Sequence, residues 1–349
     1  MSNFNGIMRK AEYIFSQRKV TCIFDEVFDE LTIDCKKEQA VIITDENVFE
    51  LHKEKMNGFR VIRTRPGEAH KTQATIDGII QQLLEMEADK QTLVIGIGGG
   101  VVTDIAGYAA GIYKRGIRLA LVPTTILAMV DAAIGGKNGV DVGMYKNMVG
   151  TVYQPEFILY DYGFLKTLPV KEWINGFAEI IKHACIKDAL LFNMLERYTL
   201  HSIQSDSTLI ASLIERNVAI KMDVVTADEY EKADRKLLNF GHTIGHAIEN
   251  LHHLPHGQAV SIGIVAACNL SEKINGLHFE DAQRVVRLLA RYHLPVDIET
   301  DLRKVFDVLK MDKKREGENM QFVLLNAIGD AEAKPVRMQY LQENLQNIL

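Results

Sequence analysis

The sequence predicts a chain in two parts, an α/β first half followed by a mainly α-helical second half. Three features point to it. In the first half, short β-branched runs alternate with stretches whose apolar residues recur at helical spacing, the pattern of βαβ units on a parallel sheet. From about Lys171 the strand-like runs give way to helical periodicity. No low-complexity tract, fixed-period repeat or Gly/Ser linker intervenes. The boundary is therefore expected in a packed connection near Asp161 to Pro169, with domains over 1–168 and 169–349.

Taken in order, QAVIITD reads as a strand followed by a helix around NVFELHKEKM, and FRVIRT as a strand followed by a helix through IDGIIQQLLEM. TLVIGIGGG leads into the helical VVTDIAGYAAGIY, and RLALVPTT closes the series. Beyond the boundary, GFAEIIKHACI, LIASLIERNVAIKM, GHAIENL, AVSIGIVAACNL and AQRVVRLLARY all carry helical spacing.

A chain of 349 residues, 47% hydrophobic, is long enough to bury a substantial core. The formal charge of -6 leaves no excess of Lys and Arg to track a phosphodiester backbone, which argues against nucleic acid as a partner. The opening MSNFNGIMRKAEYIF lacks an apolar h-region, so secretion is not expected. The longest nearly apolar run, Ala259 to Leu270, is interrupted by Ser261 and Asn269 and is too short to span a bilayer. Cys22, Cys35, Cys185 and Cys268 form no paired units and read as reduced, small core hydrophobes in a cytoplasmic protein.

After the apolar strand Thr92 to Ile97 come Gly98, Gly99 and Gly100, then a helical segment carrying Asp104. Glycines let a backbone approach a phosphate closely, and the open N–H groups of a helix start present partial positive charge to it. The run is not the G-x-G-x-x-G fingerprint, and its bland alternative is a tight strand-to-helix turn. Asp45 and Asn47, then Pro66-Gly67-Glu68 with Lys71, then Thr124 and Thr125, each follow the carboxyl end of a strand. Ligands of open α/β sheets lie there, so these groups are candidates for ribose and adenine contacts, although each is also an ordinary cap or loop residue.

Glu179 sits within the apolar GFAEIIKHACI, where an unpaired carboxylate is costly to bury, so it requires a cation. His242 and His246 are four residues apart and share a helix face, while His256 opens HGQAVSIGI. One carboxylate with two neutral imidazoles is a catalytic zinc set that leaves positions for substrate or water. His183, four residues after Glu179, is a rival ligand that spacing does not exclude, and the role of His246 is open. His252 and His253 read as loop residues.

Lys137, Lys146, Lys182, Lys221, Arg115 and Arg235 stand among glycines and apolar residues rather than on charged faces. In an acidic chain they form a set suited to the phosphate and carboxylate of a small substrate, Arg as a bidentate fork and Lys as a compact charge. Lys114, Lys236 and Lys314 read as surface cations.

Together, GGGVVTDIAGY, VPTTILAMVDAAIGGKNGVD, KNMVGTVYQP, NGFAEIIKHACIKD, RKLLNFGHTIGHAIE and HGQAVSIGI resemble the 3-dehydroquinate synthase family, in order from Asp45 to the DKK segment at Asp312. The resemblance implies a Rossmann-like N-terminal domain for NAD, a mainly α-helical C-terminal domain holding one divalent ion, zinc or cobalt, and a homodimer. It matches Glu179, His242 and His256 to the metal ligands and His246 to a substrate-side histidine. The implied cofactor set is Asp45, Asn47, Glu68, Lys71, Gly98, Gly99, Gly100, Asp104, Thr124, Thr125, Lys137, Lys146 and Thr167. The implied substrate set is Asp131, Lys137, Asn147, Lys182, Lys221, Arg235, Asn239, His246 and one of Lys313 and Lys314, with Arg115 at the phosphate. Arg235 is expected to reach across the dimer.

The activity so implied converts a sugar-acid phosphate, 3-deoxy-D-arabino-heptulosonate 7-phosphate, to 3-dehydroquinate and phosphate on the route to chorismate. Hydride passes from the C5 alcohol to NAD with the metal on that oxygen, the new ketone acidifies the neighbouring C–H, and phosphate leaves. Hydride then returns, and ring opening precedes an intramolecular aldol closure for which the enzyme supplies orientation and charge.

Departures from the family pattern cluster near Lys137. Ala132 and Ala133 stand for a serine pair, Asn138 for threonine, and Val142 and Tyr145 for His and Gly, while Lys90 stands for an arginine further upstream. The closest alternative is a sister cyclase acting on sedoheptulose 7-phosphate, suggested by Val130-Asp131-Ala132 and opposed by the complete FGHTIGH. A glycerol-type metal-dependent alcohol dehydrogenase would release NADH, usually carries aspartate at the place of Glu179, and lacks the lysine-rich set. A binding module without catalysis would have lost part of the ligand set, and none is lost.

Overall fold

The computed structural model describes residues 9–16, 18–29, 36–143, 145–231, 233–311 and 315–349, the side chains of 315 and 316 excepted. Two compact units divide the chain: Met1–Pro169 with Ile210–Met222, and Val170–Leu209 with Asp223–Leu349.

The first unit runs β1 (Arg9–Ile14), β2 (Lys19–Phe24), β3 (Ala40–Asp45), α1 (Glu46–His52), β4 (Arg60–Thr64), α2 (Gln73–Glu85), β5 (Leu93–Gly98), α3 (Gly100–Ile112), β6 (Arg118–Pro123), β7 (Lys137–Val142), β8 (Tyr145–Val152) and β9 (Phe157–Tyr160). Seven of these strands make one sheet in the order β1-β2-β9-β6-β5-β3-β4. Every neighbouring pair is parallel except β1 with β2. The central strands are covered on both faces, which is why β5 reads LVIGIG with every residue buried instead of alternating. Ile42, Ile95, Ile97, Val122, Leu159 and Phe28 belong to the core on this sheet.

Local chemistry sets the helix starts. Asp45 accepts the Val48 N–H at 2.9 Å to cap α1, and Thr72 accepts that of Thr75 at 3.3 Å to cap α2. α3 differs: its N-cap is Gly99, with no side-chain cap, so its first N–H groups stay open to a ligand. A β7–β8 hairpin stands apart as a two-stranded antiparallel sheet. Sequence pattern does not announce it, because nearly every residue of β8 is exposed and no alternation survives.

The second unit contains α4 (Val170–Lys187), α5 (Ala189–Leu195), α6 (Leu200–Gln204), the ends of α7 (Ser207–Ala227), α8 (His242–His252), α9 (His256–Ile274), α10 (Phe279–Arg291), α11 (Leu302–Lys310) and α12 (Met338–Asn344). Helical periodicity does not extend through 315–337. There β10 (Arg315–Glu316), β11 (Asn319–Ala327) and β12 (Asp330–Arg337) form an antiparallel sheet. β11 contributes Met320, Phe322 and Leu324 to one core with Ile244, Ile248, Ile262, Leu270, Val305 and Leu309 of the helices.

One close approach shapes this unit. A Cβ on Gly263 in α9 would lie 1.8 Å from the Gly241 carbonyl oxygen and 2.7 Å from the Gly245 nitrogen, so only glycine lets α9 rest its main chain on the start of α8. Gly241 itself has φ +78°, left-handed, as the N-cap of α8.

Cys22, Cys185 and Cys268 are buried free thiols, and Cys35 lies outside the described residues. Among the described residues no helix is long and apolar enough to cross a membrane.

Candidate active site

In the first unit the sheet delivers its polar groups to the loops after the strands. The β5–α3 turn packs tightly: a Cβ on Gly98 would meet the Val102 side chain at 2.5 to 2.8 Å. One turn into α3, Asp104 accepts from Lys71 Nζ at 2.5 Å, and the same ammonium donates to Asn147 Oδ1 at 2.6 Å. Lys71 is buried. Burial works against its charge, yet the attraction of Asp104 and Glu68 holds its pKa above the ordinary lysine value. Asn147 sits at φ +53° in the hairpin, and its N–H donates to Asp141 Oδ1 at 2.7 Å. Asp141 in turn donates its own N–H to the Lys71 carbonyl at 2.9 Å, which fastens the hairpin to the loop after β4.

The remaining groups of this unit differ in their burial. Lys221, in the part of α7 that belongs here, lies 2.8 Å from Asp131 Oδ1 and donates to the Asp131 carbonyl at 2.6 Å. Thr124 is buried with its N–H on the Gly98 carbonyl at 2.9 Å, and Thr125 Oγ1 accepts the Ala128 N–H at 3.1 Å. Asn47, Glu68, Arg115, Lys137 and Lys146 are exposed. Asp45 caps α1, and burial raises its carboxyl pKa. Thr167 bonds His52 Nε2 at 2.8 Å.

The second unit builds its cluster from helix interiors. Glu179 on α4 is 0% exposed and pairs with Lys182, one turn further on and 1% exposed. His242 Nε2 lies 3.6 Å and His256 Nε2 3.4 Å from Glu179 Oε1. One donor atom from each of the three residues lies within 4.8 Å of the others. The Nδ1 of His242 meets the Phe240 carbonyl at 3.1 Å, a contact that puts the proton there and leaves Nε2 as a lone-pair donor. Burial opposes a charge on His256, but hydrogen bonds to Glu179 and Glu249 and their attraction raise its pKa, so an ion would bind there in exchange for the Nε2 proton. One buried carboxylate oxygen and two imidazole nitrogens this close together suit an ion of the zinc or cobalt type.

His246 stands beside both ligand candidates, its ring centroid 5.3 Å from that of His242 and 6.3 Å from that of His256. His183 is fully buried on α4. Arg235 and Asn239 come from the turn before α8, where Asn239 Nδ2 donates to Glu231 Oε1 at 2.7 Å. Arg235 is buried, and its guanidinium donates to the Glu229 carbonyl of its own loop. Lys313 and Lys314 lie outside the described residues.

Two residues escaped the sequence reading. Asp141 carried no signal beyond its place between glycines. Glu249 did: it lies three residues after His246 and seven after His242, and so on the same helix face.

Comparison with known proteins bears on both units. The family model for the 3-dehydroquinate synthase N-terminal region matches residues 61–175, and that for the C-terminal region matches 176–315. The 3-dehydroquinate synthase of Campylobacter curvus is 39% identical over 308 residues, 85% of this chain and 88% of that protein. Among solved structures, 2-epi-5-epi-valiolone synthase of Streptomyces hygroscopicus subsp. jinggangensis with NAD+ and Zn2+ aligns at TM-score 0.86 and 26% identity, covering 99% of this chain and 98% of that one. A 2-deoxy-scyllo-inosose synthase with carbaglucose-6-phosphate, NAD+ and Co2+ aligns at TM-score 0.85 and 26% identity, covering 98% and 100%.

Proposed function

The chain belongs to the 3-dehydroquinate synthase family, and on that premise we propose that it converts 3-deoxy-D-arabino-heptulosonate 7-phosphate to 3-dehydroquinate and phosphate in the shikimate pathway. The observation that carries this reading is the meeting of Glu179, His242 and His256, from three helices, at ion-binding distances. The enzyme uses NAD and one divalent ion, zinc or cobalt, as the related cyclases do. Glu179, His242 and His256 hold the ion. When bound, the nicotinamide supplies a reversible hydride acceptor and the ion a Lewis acid for the alcohol oxygen concerned.

The chain's own groups do the rest. The open N–H groups of α3 and the glycines before it bind the cofactor's pyrophosphate. Lys71, kept protonated, draws the carboxyl of Asp104, which burial pushes above its ordinary pKa, into a fixed position as an acceptor for the cofactor. Lys182 and Lys221, each already paired with one carboxylate, orient anionic groups of the substrate, with Lys137, Asn147, Arg235 and Asn239. Arg115 takes the phosphate. His246, beside the two ligand imidazoles, holds a proton for a substrate oxygen. The cofactor domain is 1–168 and the metal domain 169–349, except that the 210–222 stretch of α7 belongs with the first, and the enzyme is a cytoplasmic homodimer. Its acidic charge and buried free thiols support that setting.

Phosphate release from the heptulosonate phosphate, with and without NAD and chelator, tests the reading. Release should require both NAD and metal and leave no net NADH. Release from sedoheptulose 7-phosphate alone would assign the chain to the sister cyclases. Accumulating NADH would assign it to the dehydrogenases.

A further inference from the structure

A neutral imidazole carries one N–H and one lone pair, so a histidine that binds an ion through one nitrogen must place a proton on the other. The two candidate histidines settle this differently. His242 has its Nδ1 against a main-chain carbonyl, that of Phe240. His256 has its Nδ1 against a carboxylate, Glu249 Oε2 at 3.4 Å, while its Nε2 faces Glu179 Oε1 at the same distance. Glu249 is 5% exposed on α8, and His256 is the first residue of α9, held by the packing of those two helices.

Two overlapping donor sets share His256: Glu179 with His242, and His246 with Glu249. Both imidazoles of the first set turn Nε2 to the same buried oxygen. Nδ1 is the edge of His256 that faces Glu249, so an ion held there in the second set would take the place of the donation to Glu249.

Resting on the reading of Glu179, His242 and His256 as ligands, we propose that Glu249 is a positioning residue that accepts the Nδ1–H of His256, fixes its tautomer and ring plane, and so directs Nε2 at the ion. The acceptor also makes Nε2 a better donor, as carboxylates behind metal-bound histidines do elsewhere. Glu249 does not touch the ion.

Zinc and cobalt binding by the purified chain, measured by competition with a chromogenic chelator, tests this in wild type, Glu249→Gln, Glu249→Ala and Glu179→Gln. Visible absorption of the Co2+ form and circular dichroism of the metal-free form complete the set. Glu249→Gln is expected to bind one ion roughly 10- to 100-fold more weakly, with a shifted Co2+ band and an unchanged metal-free fold. Glu249→Ala should be weaker still, and Glu179→Gln should lose the ion. Wild-type affinity and spectrum in both Glu249 variants would overturn the proposal while leaving the ligand reading intact. Loss of the ion in Glu249→Gln with retention in Glu179→Gln would make Glu249 a ligand and overturn both. Should Glu249→Ala fail to fold, the near-isosteric Gln variant decides.

Discussion

The Lys71 cluster of the first unit and the Glu179 cluster of the second each bury an ion pair, and they do so in opposite ways. The first centres on a cation from a loop, closed by Asp104 and Asn147 from two other segments. The second centres on an anion inside a helix, faced by one ammonium and two imidazoles. The loop cluster satisfies itself with a charge-assisted bond and leaves main-chain N–H groups for the ligand. The helix cluster turns side-chain donors inward, so its ligand has to be a cation. On the proposed reading, the first unit meets its cofactor with backbone and the second its ion with side chains.

Experiments that separate the two clusters can break that contrast. The largest effect is expected from Glu179→Gln. Bound metal should fall below stoichiometric by elemental analysis, and the metal-free chain should lose about 3–5 kcal/mol in denaturant unfolding because Lys182 is left buried without its anion. Equal stability would mean that Lys182 finds other partners.

Next comes a pair of glycine substitutions. Gly263→Ala drives a Cβ into main-chain atoms and should cost about 3 kcal/mol, whereas Gly98→Ala meets only the Val102 side chain and should cost about 1 kcal/mol. Urea midpoints of the two variants compare them directly, and a reversed order would refute the distinction. Smaller again, Asp104→Asn should weaken NAD binding roughly 10-fold, through loss of about 1.4 kcal/mol of charge-assisted bonding, with metal content unchanged. Calorimetric titration with NAD reads the first quantity, and a parallel drop in metal would show the two clusters to be coupled.

The smallest effect concerns pH. Burial, then the nearby Lys55, lowers the His52 pKa below its ordinary 6.5 in the folded chain. The unfolded chain therefore takes up that proton first, and stability is lost as pH falls through about 6.5. His52→Gln should flatten this part of a thermal-midpoint profile while the rest of the profile keeps its shape.

Much of this was legible in the residues, for reasons that differ by element. β3, β5 and β6 announce themselves as apolar runs punctuated by turn residues, because strands buried on both faces need no polar position. β4, at the sheet edge, keeps two arginines and is marked by its β-branched residues instead. β8 does not, being exposed almost throughout. β10 to β12 lie in a half whose dominant period is helical. Among site residues, Glu179 stood out as a carboxylate in an apolar helix. His183 stood beside it with the same credentials, since spacing along α4 says nothing of which way a distant helix brings its histidines. Glu249 was hidden for a related reason: a glutamate on an amphipathic helix reads as surface until a second helix is laid over it.

The bare contact of Gly263 with the start of α8 has a bearing on which ions are admitted. Spacing set by peptide groups has no slack, since no rotamer change can widen it. A small ion with bonds of about 2.0–2.2 Å to nitrogen and oxygen is satisfied by three converging donors. Calcium, which needs six or more oxygens, finds two of these three donors to be nitrogen. The missing methyl group of Gly263, two turns along α9 from the histidine that opens it, keeps the two helices carrying those nitrogens in main-chain contact.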